Sequence, residues 1–290
     1  MSKADPFTLD KRLVRLSFER VAANYDQSAV LQREVETRML SRMDYIKLTP
    51  DFILDAGSGT GYGSRRLKQR YPRAKVLSLD IALAMLKRSR GHKRWLPFFP
   101  PAAVHVCADI ECMPLQAACT GMVWCNLALQ WINQPQRAFA EMYRVLRPGG
   151  LLMFSTFGPD TLKELRQAYS GIDIYNHVHR FIDMHDLGDM LVQTGFNTPV
   201  MDMEHITLTY TNAVSLMRDL KAIGAHNVSY GRRHGLAGKS LLRGVASNYE
   251  RFRSEGRLPA TFEVVYGHAW KPDAPRMPDG RKIIQVEARR

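Results

Sequence analysis

Between Asp51 and Thr156, short apolar and β-branched runs alternate with polar stretches of helical length. The runs Phe52 to Ala56, Lys75 to Leu79, Val104 to Ala108, Met122 to Cys125 and Leu151 to Thr156 have the length of buried strands. Most are separated by about 20 residues, enough for a helix and two loops. This rhythm predicts an α/β domain on a mainly parallel sheet. Ahead of it, Lys11 to Met43 is rich in Leu, Val, Arg and Glu and predicts two helices broken near Asn24-Tyr25-Asp26, a collar or lid over the sheet. After Thr156, Pro159 to Tyr169 and Asp183 to Thr194 predict helices, the second stopped by Gly195. His205 to Tyr210, Phe262 to Ala269 and Ile283 to Glu287 alternate as late strands, with a mostly helical insert from Ala213 to Arg257 between the first two. Pro272, Pro275 and Pro278-Asp279-Gly280 predict a long turn before the last strand. The expected organisation is a helical collar over 1–50, a core over 51–210, an insert over 211–260 and terminal strands over 261–290.

Composition narrows the class. With 45% hydrophobic and 24% charged residues, the 290-residue chain is neither disordered, collagenous nor a coiled coil. No apolar run reaches about 18 residues, and the N-terminal stretch is polar, so a cytoplasmic protein without membrane insertion or secretion is expected. Cysteines 107, 112, 119 and 125 form no CxxC and have no matching histidine pattern. Neither a disulfide framework nor a structural metal site is expected, and Cys107 and Cys125 are expected to be reduced core residues. The net charge is +13, and 15 basic against 7 acidic residues after Tyr210 place +8 of it in the last 80 residues. Such an excess is either a solvated face or a docking surface for an anionic partner.

The segment Ile53-Leu54-Asp55-Ala56-Gly57-Ser58-Gly59-Thr60-Gly61 places three alternate glycines between a strand and a helix. Glycine suits such a turn because the backbone must adopt positive φ and let a ligand approach the main chain. A dinucleotide fingerprint would need its third glycine at position 62, which is Tyr62. Asp80 ends the second strand, where a carboxylate can accept hydrogen bonds from both ribose hydroxyls, with Ile81 beside it. Asp109 can meet an exocyclic amine while Ile110 packs on a ring. Together these residues predict a ligand containing adenine and ribose but no phosphate.

Asp55 to Gly61, Asp80, Asp109, Asn126-Leu127-Ala128-Leu129-Gln130-Trp131 and Arg147-Pro148-Gly149-Gly150 resemble the motifs of class I S-adenosylmethionine-dependent methyltransferases. The resemblance implies a Rossmann-like, seven-stranded, mainly parallel sheet with helices on both faces, a helical lid or insert, and late antiparallel strands at one edge. It also implies roles: Gly57, Gly59 and Gly61 for close approach, with the glycine loop under the methionine part; Asp80 for the ribose; Asp109 and Ile110 for adenine. Asn126 and Leu127 would form the floor near the reactive sulfur.

Outside that core, Phe18 to Asp26, Phe154 to Leu165, His179-Arg180-Phe181-Ile182-Asp183 and Leu216 to Ala225 resemble the BioC family, the malonyl-acyl-carrier-protein O-methyltransferases of biotin synthesis. The long proline-rich turn and extra strand after Trp270 depart from that pattern. The resemblance implies methyl transfer from S-adenosylmethionine to a malonyl carboxylate, leaving S-adenosylhomocysteine, with no metal. A carboxylate is ionised at pH 7, so no general base is needed. A guanidinium suits the selection of a carboxylate acceptor, and the motif context puts Arg180 in that role. Tyr25 is expected to close over the cofactor, its hydroxyl on the methionine carboxylate. His177 and His179 are expected in supporting roles, and Trp131 and Phe157 as walls. The implied partner is acyl carrier protein, or malonyl-coenzyme A, with a carrier body resting on Lys221, Arg232, Arg233, Lys239, Arg243 or their neighbours. Alternatives are a relative acting on another substrate, including a respiratory-complex assembly factor, and a nucleic-acid-binding module; the latter lacks a recognisable reader motif.

Overall fold

The computed structural model describes residues 5–90, 104–235 and 238–273. The collar holds α1 (Lys11–Val21), the single turn α2 (Tyr25–Ser28) and α3 (Val30–Arg42). Then come β1 (Phe52–Ala56), α4 (Tyr62–Arg70), β2 (Lys75–Asp80), α5 (Leu83–Ser89), β3 (Val104–Cys107), β4 (Thr120–Asn126), α6 (Pro135–Val145) and β5 (Leu146–Phe157). They are followed by α7 (Lys163–Tyr169), α8 (Met184–Thr194), β6 (Asn197–Tyr210), α9 (Ala213–Ala222), α10 (Lys239–Tyr249) and β7 (Leu258–Trp270).

The seven strands lie in the order β3-β2-β1-β4-β5-β7-β6. The first five are parallel, and β7 runs antiparallel to both β5 and β6. The late strands expected at one edge are there: β7 runs against both its neighbours, and β6, antiparallel to β7, regains the direction of the parallel strands. β7 lies between β5 and β6, with β6 at the edge. The strand expected over Ile283 to Glu287, and the turn at Pro275 to Gly280, lie outside the described residues.

Strand alternation divides the core. Ile53, Met122, Trp124 and Met153 face one side, with α3, α4, α7, α9 and α10 packed there. Leu54, Ala56, Val123, Cys125 and Phe154 face the other, against α6 and α8. Gly195 ends α8 in the left-handed conformation at φ 99°. Cys125 is buried as expected, but Cys107 is exposed because β3 is an edge strand.

β6 begins eight residues before the expected His205. Pro199, Asp202 and Glu204 disguise it in the sequence, yet an edge strand tolerates them. Two of these charges are answered by α3: Arg38 pairs with Glu204, and Arg42 with Asp202 at 2.7 Å. Helix α3 is thus built into the core, with Val35, Met39 and Met43 (just past its end) fully buried. Met39→Ala should cost about 2–5 kcal/mol in a single cooperative urea transition. A loss below about 1 kcal/mol would show instead that the collar is a separable layer.

Candidate active site

The carboxyl ends of β1, β2 and β4 and the loop after β3 open onto a cavity of about 210 Å³, covered by the collar. Its walls include Tyr25, Asp55, Gly57, Gly59, Asp80, Ile81, Asp109, Ile110, Asn126 and Leu127. The structure thus brings together all but two of the expected site residues. The exceptions are Gly61 and Arg180.

The turn after β1 is anchored by Gly57 and Ser58, whose amides donate to the Leu79 carbonyl at 2.8 and 3.0 Å. Gly57 has φ 81°, and a Cβ there would lie 2.4 Å from Ala128 Cβ, so a side chain is excluded by conformation and by space. Gly59 has open space where a Cβ would be, which leaves its backbone accessible to a ligand. Gly61 instead starts α4, where a Cβ would meet Ser89 Oγ of α5. Its role is helix packing and not the cavity wall.

Asp80 binds the loop to the second strand: Oδ2 accepts from the Gly59 amide and Oδ1 from the Ala82 amide, both at 2.8 Å. Burial pushes its pKa up to about 6 against the opposing effect of those amides. Asp55 accepts from Ser64 Oγ at 2.5 Å, and that hydroxyl lies 2.7 Å from Ser78 Oγ. Burial pushes Asp55 to about 7, with Asp80 adding to the rise. Asp109 accepts from Lys11 Nζ at 2.5 Å, and Lys11 also pairs with Glu111. The carboxylate expected to meet adenine is therefore also a fastening point for α1, while Ile110 is buried beside it.

At the end of β4, Asn126 donates to the Gln32 carbonyl at 3.2 Å and accepts from Ser155 Oγ at 2.7 Å. Leu127 is held at φ 47°, a strained conformation for a branched residue, with its amide on Ser155. Tyr25 packs edge-on to Phe18 at 6.5 Å. Burial and the nearby Asp80 and Asp26 raise its hydroxyl pKa, so it remains a neutral donor. Asp80 and Asp26 are both close enough to act on that hydroxyl.

Trp131 and Phe157 line the cavity. His179 packs on Trp131 at 5.1 Å, accepts from the Val228 amide at 3.2 Å and is pushed down to about 4 by burial, so it is a neutral structural acceptor. His177 lies 2.7 Å from Asp173 and stacks on Tyr169. Arg180 lies elsewhere: it is exposed, stacks over Phe7 at 5.9 Å and lines a second, outer cavity of about 870 Å³. That cavity shares Gln130, His177, His179 and Phe181 with the inner one. Along this segment His179 and Phe181 reach the inner cavity, whereas Arg180 between them stays at its approach.

A residue the sequence reading missed is Glu36, on α3. It is 2% exposed, lines the cavity, and accepts from Trp124 Nε1 at 3.2 Å. Burial pushes it to about 8, with Asp55 adding to the effect. Among the described residues neither Glu36, Asp55 nor Asp80 has an ion-pair partner. These three unpaired acids in one wall fit S-adenosylmethionine, a cationic ligand carrying hydroxyls and an ammonium. Asp160, His205 and Glu263 also lie close enough to share a metal ion, but outside this wall, and Lys163 holds Asp160 at 2.8 Å.

A family model described as a methyltransferase domain matches residues 54–154. The fold is shared with a putative methyltransferase from Bacillus halodurans (TM-score 0.57, 18% identity, 82% of this chain and 98% of that one). It is also shared with the YcgJ protein from Bacillus subtilis (TM-score 0.57, 11% identity, 82% and 99%). A glycine turn tied to a buried strand-end acid on this sheet is the architecture of a class I S-adenosylmethionine-dependent methyltransferase.

Relatives extend the likeness over the whole chain. The malonyl-[acyl-carrier protein] O-methyltransferases of Nitrosospira multiformis and Gallionella capsiferriformans are each 56% identical, covering 96% and 97% respectively of both chains in each pair. That of Methylovorus sp. is 53% identical over 99% of this chain and 98% of its own. The chain belongs to the malonyl-[acyl-carrier protein] O-methyltransferase family.

The raised acids make a testable contribution to stability. Folded Asp55 keeps its proton up to about pH 7, whereas its ordinary value is 3.8. The unfolded state therefore binds fewer protons between these values, and Asp55 makes the unliganded protein lose stability as pH rises through that window. Asp55→Asn removes this titration. Its melting temperature relative to wild type should rise from about pH 4.5 to about pH 7.5; a constant difference would contradict the buried, raised carboxyl.

Proposed function

We propose that this protein transfers the methyl group of S-adenosylmethionine to the free carboxylate of a malonyl group on acyl carrier protein. The products are the malonyl methyl ester, for biotin synthesis, and S-adenosylhomocysteine. The observation that carries this reading is the near-full-length likeness at 56% identity to malonyl-[acyl-carrier protein] O-methyltransferases.

S-adenosylmethionine supplies an electrophilic methyl group on a positively charged sulfur. Asp80 would hold the ribose diol, since each carboxylate oxygen has accepted one amide and retains acceptor capacity. Ile81 flanks that position, Ile110 packs against adenine, and Asp109 accepts from its amine while remaining fastened to Lys11. Gly57 and Gly59 give close main-chain approach, and Asn126 and Leu127 form the floor. Tyr25 closes the cavity from the collar as a neutral donor.

The acceptor carboxylate needs no base. The protein's work is to align the acceptor and exclude water, for which Phe18, Trp131, Phe157, Phe181 and Phe262 form an aromatic wall. Arg180, on the outer cavity, acts on the acceptor's charge as it comes in; its guanidinium has no ion-pair or hydrogen-bond partner among the described residues. The carrier protein is an acidic partner for the basic C-terminal region. Lys221, Arg233, Lys239 and Arg243 are exposed there, whereas Arg232 is partly buried and donates to the Ser229 carbonyl at 2.9 Å. Malonyl-coenzyme A would present the same malonyl thioester without that protein surface. A cytoplasmic setting agrees with this substrate, and among the described residues no helix is long and apolar enough to cross a membrane.

Incubation with methyl-labelled S-adenosylmethionine and malonyl-carrier protein, malonyl-coenzyme A or bulk RNA tests the reading. Label should enter an ester on the malonyl group, and labelling of RNA alone would refute it. Arg180→Ala should lower kcat/KM for the malonyl substrate by about tenfold or more with cofactor affinity preserved; wild-type turnover would remove Arg180 from acceptor recognition. Asp80→Ala should weaken S-adenosylhomocysteine binding by about tenfold or more, and unchanged affinity would exclude the ribose role.

A further inference from the structure

The cavity wall contains two acceptors with nothing to accept. Gln32 Oε1 and Glu36 Oε1 are both buried and have no hydrogen-bond partner. They belong to residues four apart on α3, hence on the same face of the helix, and both residues line the cavity. The Glu36 carboxyl is oriented from behind, and the backbone of Gln32 is tied to β4. Trp124 Nε1 donates to the other Glu36 oxygen, and Asn126 Nδ2 donates to the Gln32 carbonyl. Two buried acceptors without donors are costly unless a ligand brings the donors.

The sheet order indicates which part of the ligand this is. Asp109 follows β3, Asp80 ends β2, the glycine loop follows β1, and the residues anchoring Glu36 and Gln32 are on β4. A ligand with adenine near Asp109 and ribose at Asp80 reaches Glu36 with its far end. Resting on the methyltransferase reading, we infer that Glu36 and Gln32 of the collar receive the α-ammonium of the methionine moiety and are binding residues for it. An ammonium presents three donors and a positive charge, matching one amide oxygen and one carboxylate. The sulfonium has charge but no N–H, and the ligand's other donors lie toward Asp80 and Asp109.

The groups facing Glu36 are Asp55 from β1, Trp124 and Asn126 from β4, and Arg66 from α4. In the unliganded protein its carboxyl, raised to about 8, is mostly protonated at neutral pH. An arriving ammonium favours the carboxylate, so binding should release a proton.

The test is calorimetric binding of S-adenosylhomocysteine and of its deaminated analogue, in which hydrogen replaces the α-amino group. Wild type should prefer the amino compound by about tenfold or more, and Glu36→Gln should reduce that preference to about twofold. Titrations at pH 7 in buffers of different ionisation enthalpy should show proton release by wild type and less by Glu36→Gln. Gln32→Met gives an independent arm, with a smaller loss of preference and proton release retained. An unchanged preference in Glu36→Gln, or in Gln32→Met should Glu36→Gln not fold, would overturn the assignment while leaving the methyltransferase reading intact. Failure of wild type to bind S-adenosylhomocysteine at all would overturn both.

Discussion

Burying carboxyl groups without cations is the constraint around which this site is built. Glu36, Asp55 and Asp80 come from a helix and two strands far apart in sequence, yet they line one cavity. Isolated buried carboxylates would be very costly, so each is neutralised in part by a raised proton affinity and oriented by a neutral donor. For Asp80 the donors are the Gly59 and Ala82 amides, for Asp55 the Ser64 hydroxyl, and for Glu36 the Trp124 indole. The acids are thus fixed before any ligand arrives, and their electrostatic demand is satisfied by a positively charged one.

Further hydrogen bonds explain why the collar belongs to the catalytic unit. Thr60 of the glycine loop donates to Asp26 at 2.5 Å, and Glu19 accepts from the Leu83 amide at 3.0 Å. Lys11 pairs with Asp109, and Glu36 is deep in the cavity. A helix that delivers a binding carboxyl must be positioned as accurately as the strands, which accounts for the full burial of Val35 and Met39 on either side of it.

Much of this was legible in the sequence, and for identifiable reasons. β1 occupies Phe52 to Ala56 as read, because an apolar run closed by a glycine turn has one good solution. The loop, Asp80 and Asp109 were legible because positive φ and strand-end acids leave local signals. Glu36 left none. In Val30–Arg42 it stands among other charged residues, and only its place between Val35 and Met39, a turn after Gln32, hints that it points inward. Which face of a helix is buried depends on what packs against it, here Trp124 from 88 positions away. Arg180 is the opposite case. Its motif marked the right segment, but His179 and Phe181 on either side of it line the inner cavity, while the arginine lines only the outer one. β7 was recognised as a strand, while its insertion between β5 and β6 is a long-range property with no local trace.

The charge distribution ties donor and acceptor together. The chain as a whole carries +13, concentrated late in the sequence, yet the inner cavity buries Glu36, Asp55 and Asp80. A single field would favour one ligand at the expense of the other: a uniformly basic site would repel the sulfonium, and a uniformly acidic one the malonyl carboxylate and its acidic carrier. Separating the signs in depth removes that conflict, because surface charge acts on approach over about a Debye length whereas buried charge acts at contact. Arg180 lies at the boundary between these regions, on an outer cavity that shares His179 and Phe181 with the inner one. Inward of that boundary the wall turns aromatic, with Trp131, Phe157 and Phe181, so a group entering there is sorted by shape and desolvation more than by surface charge.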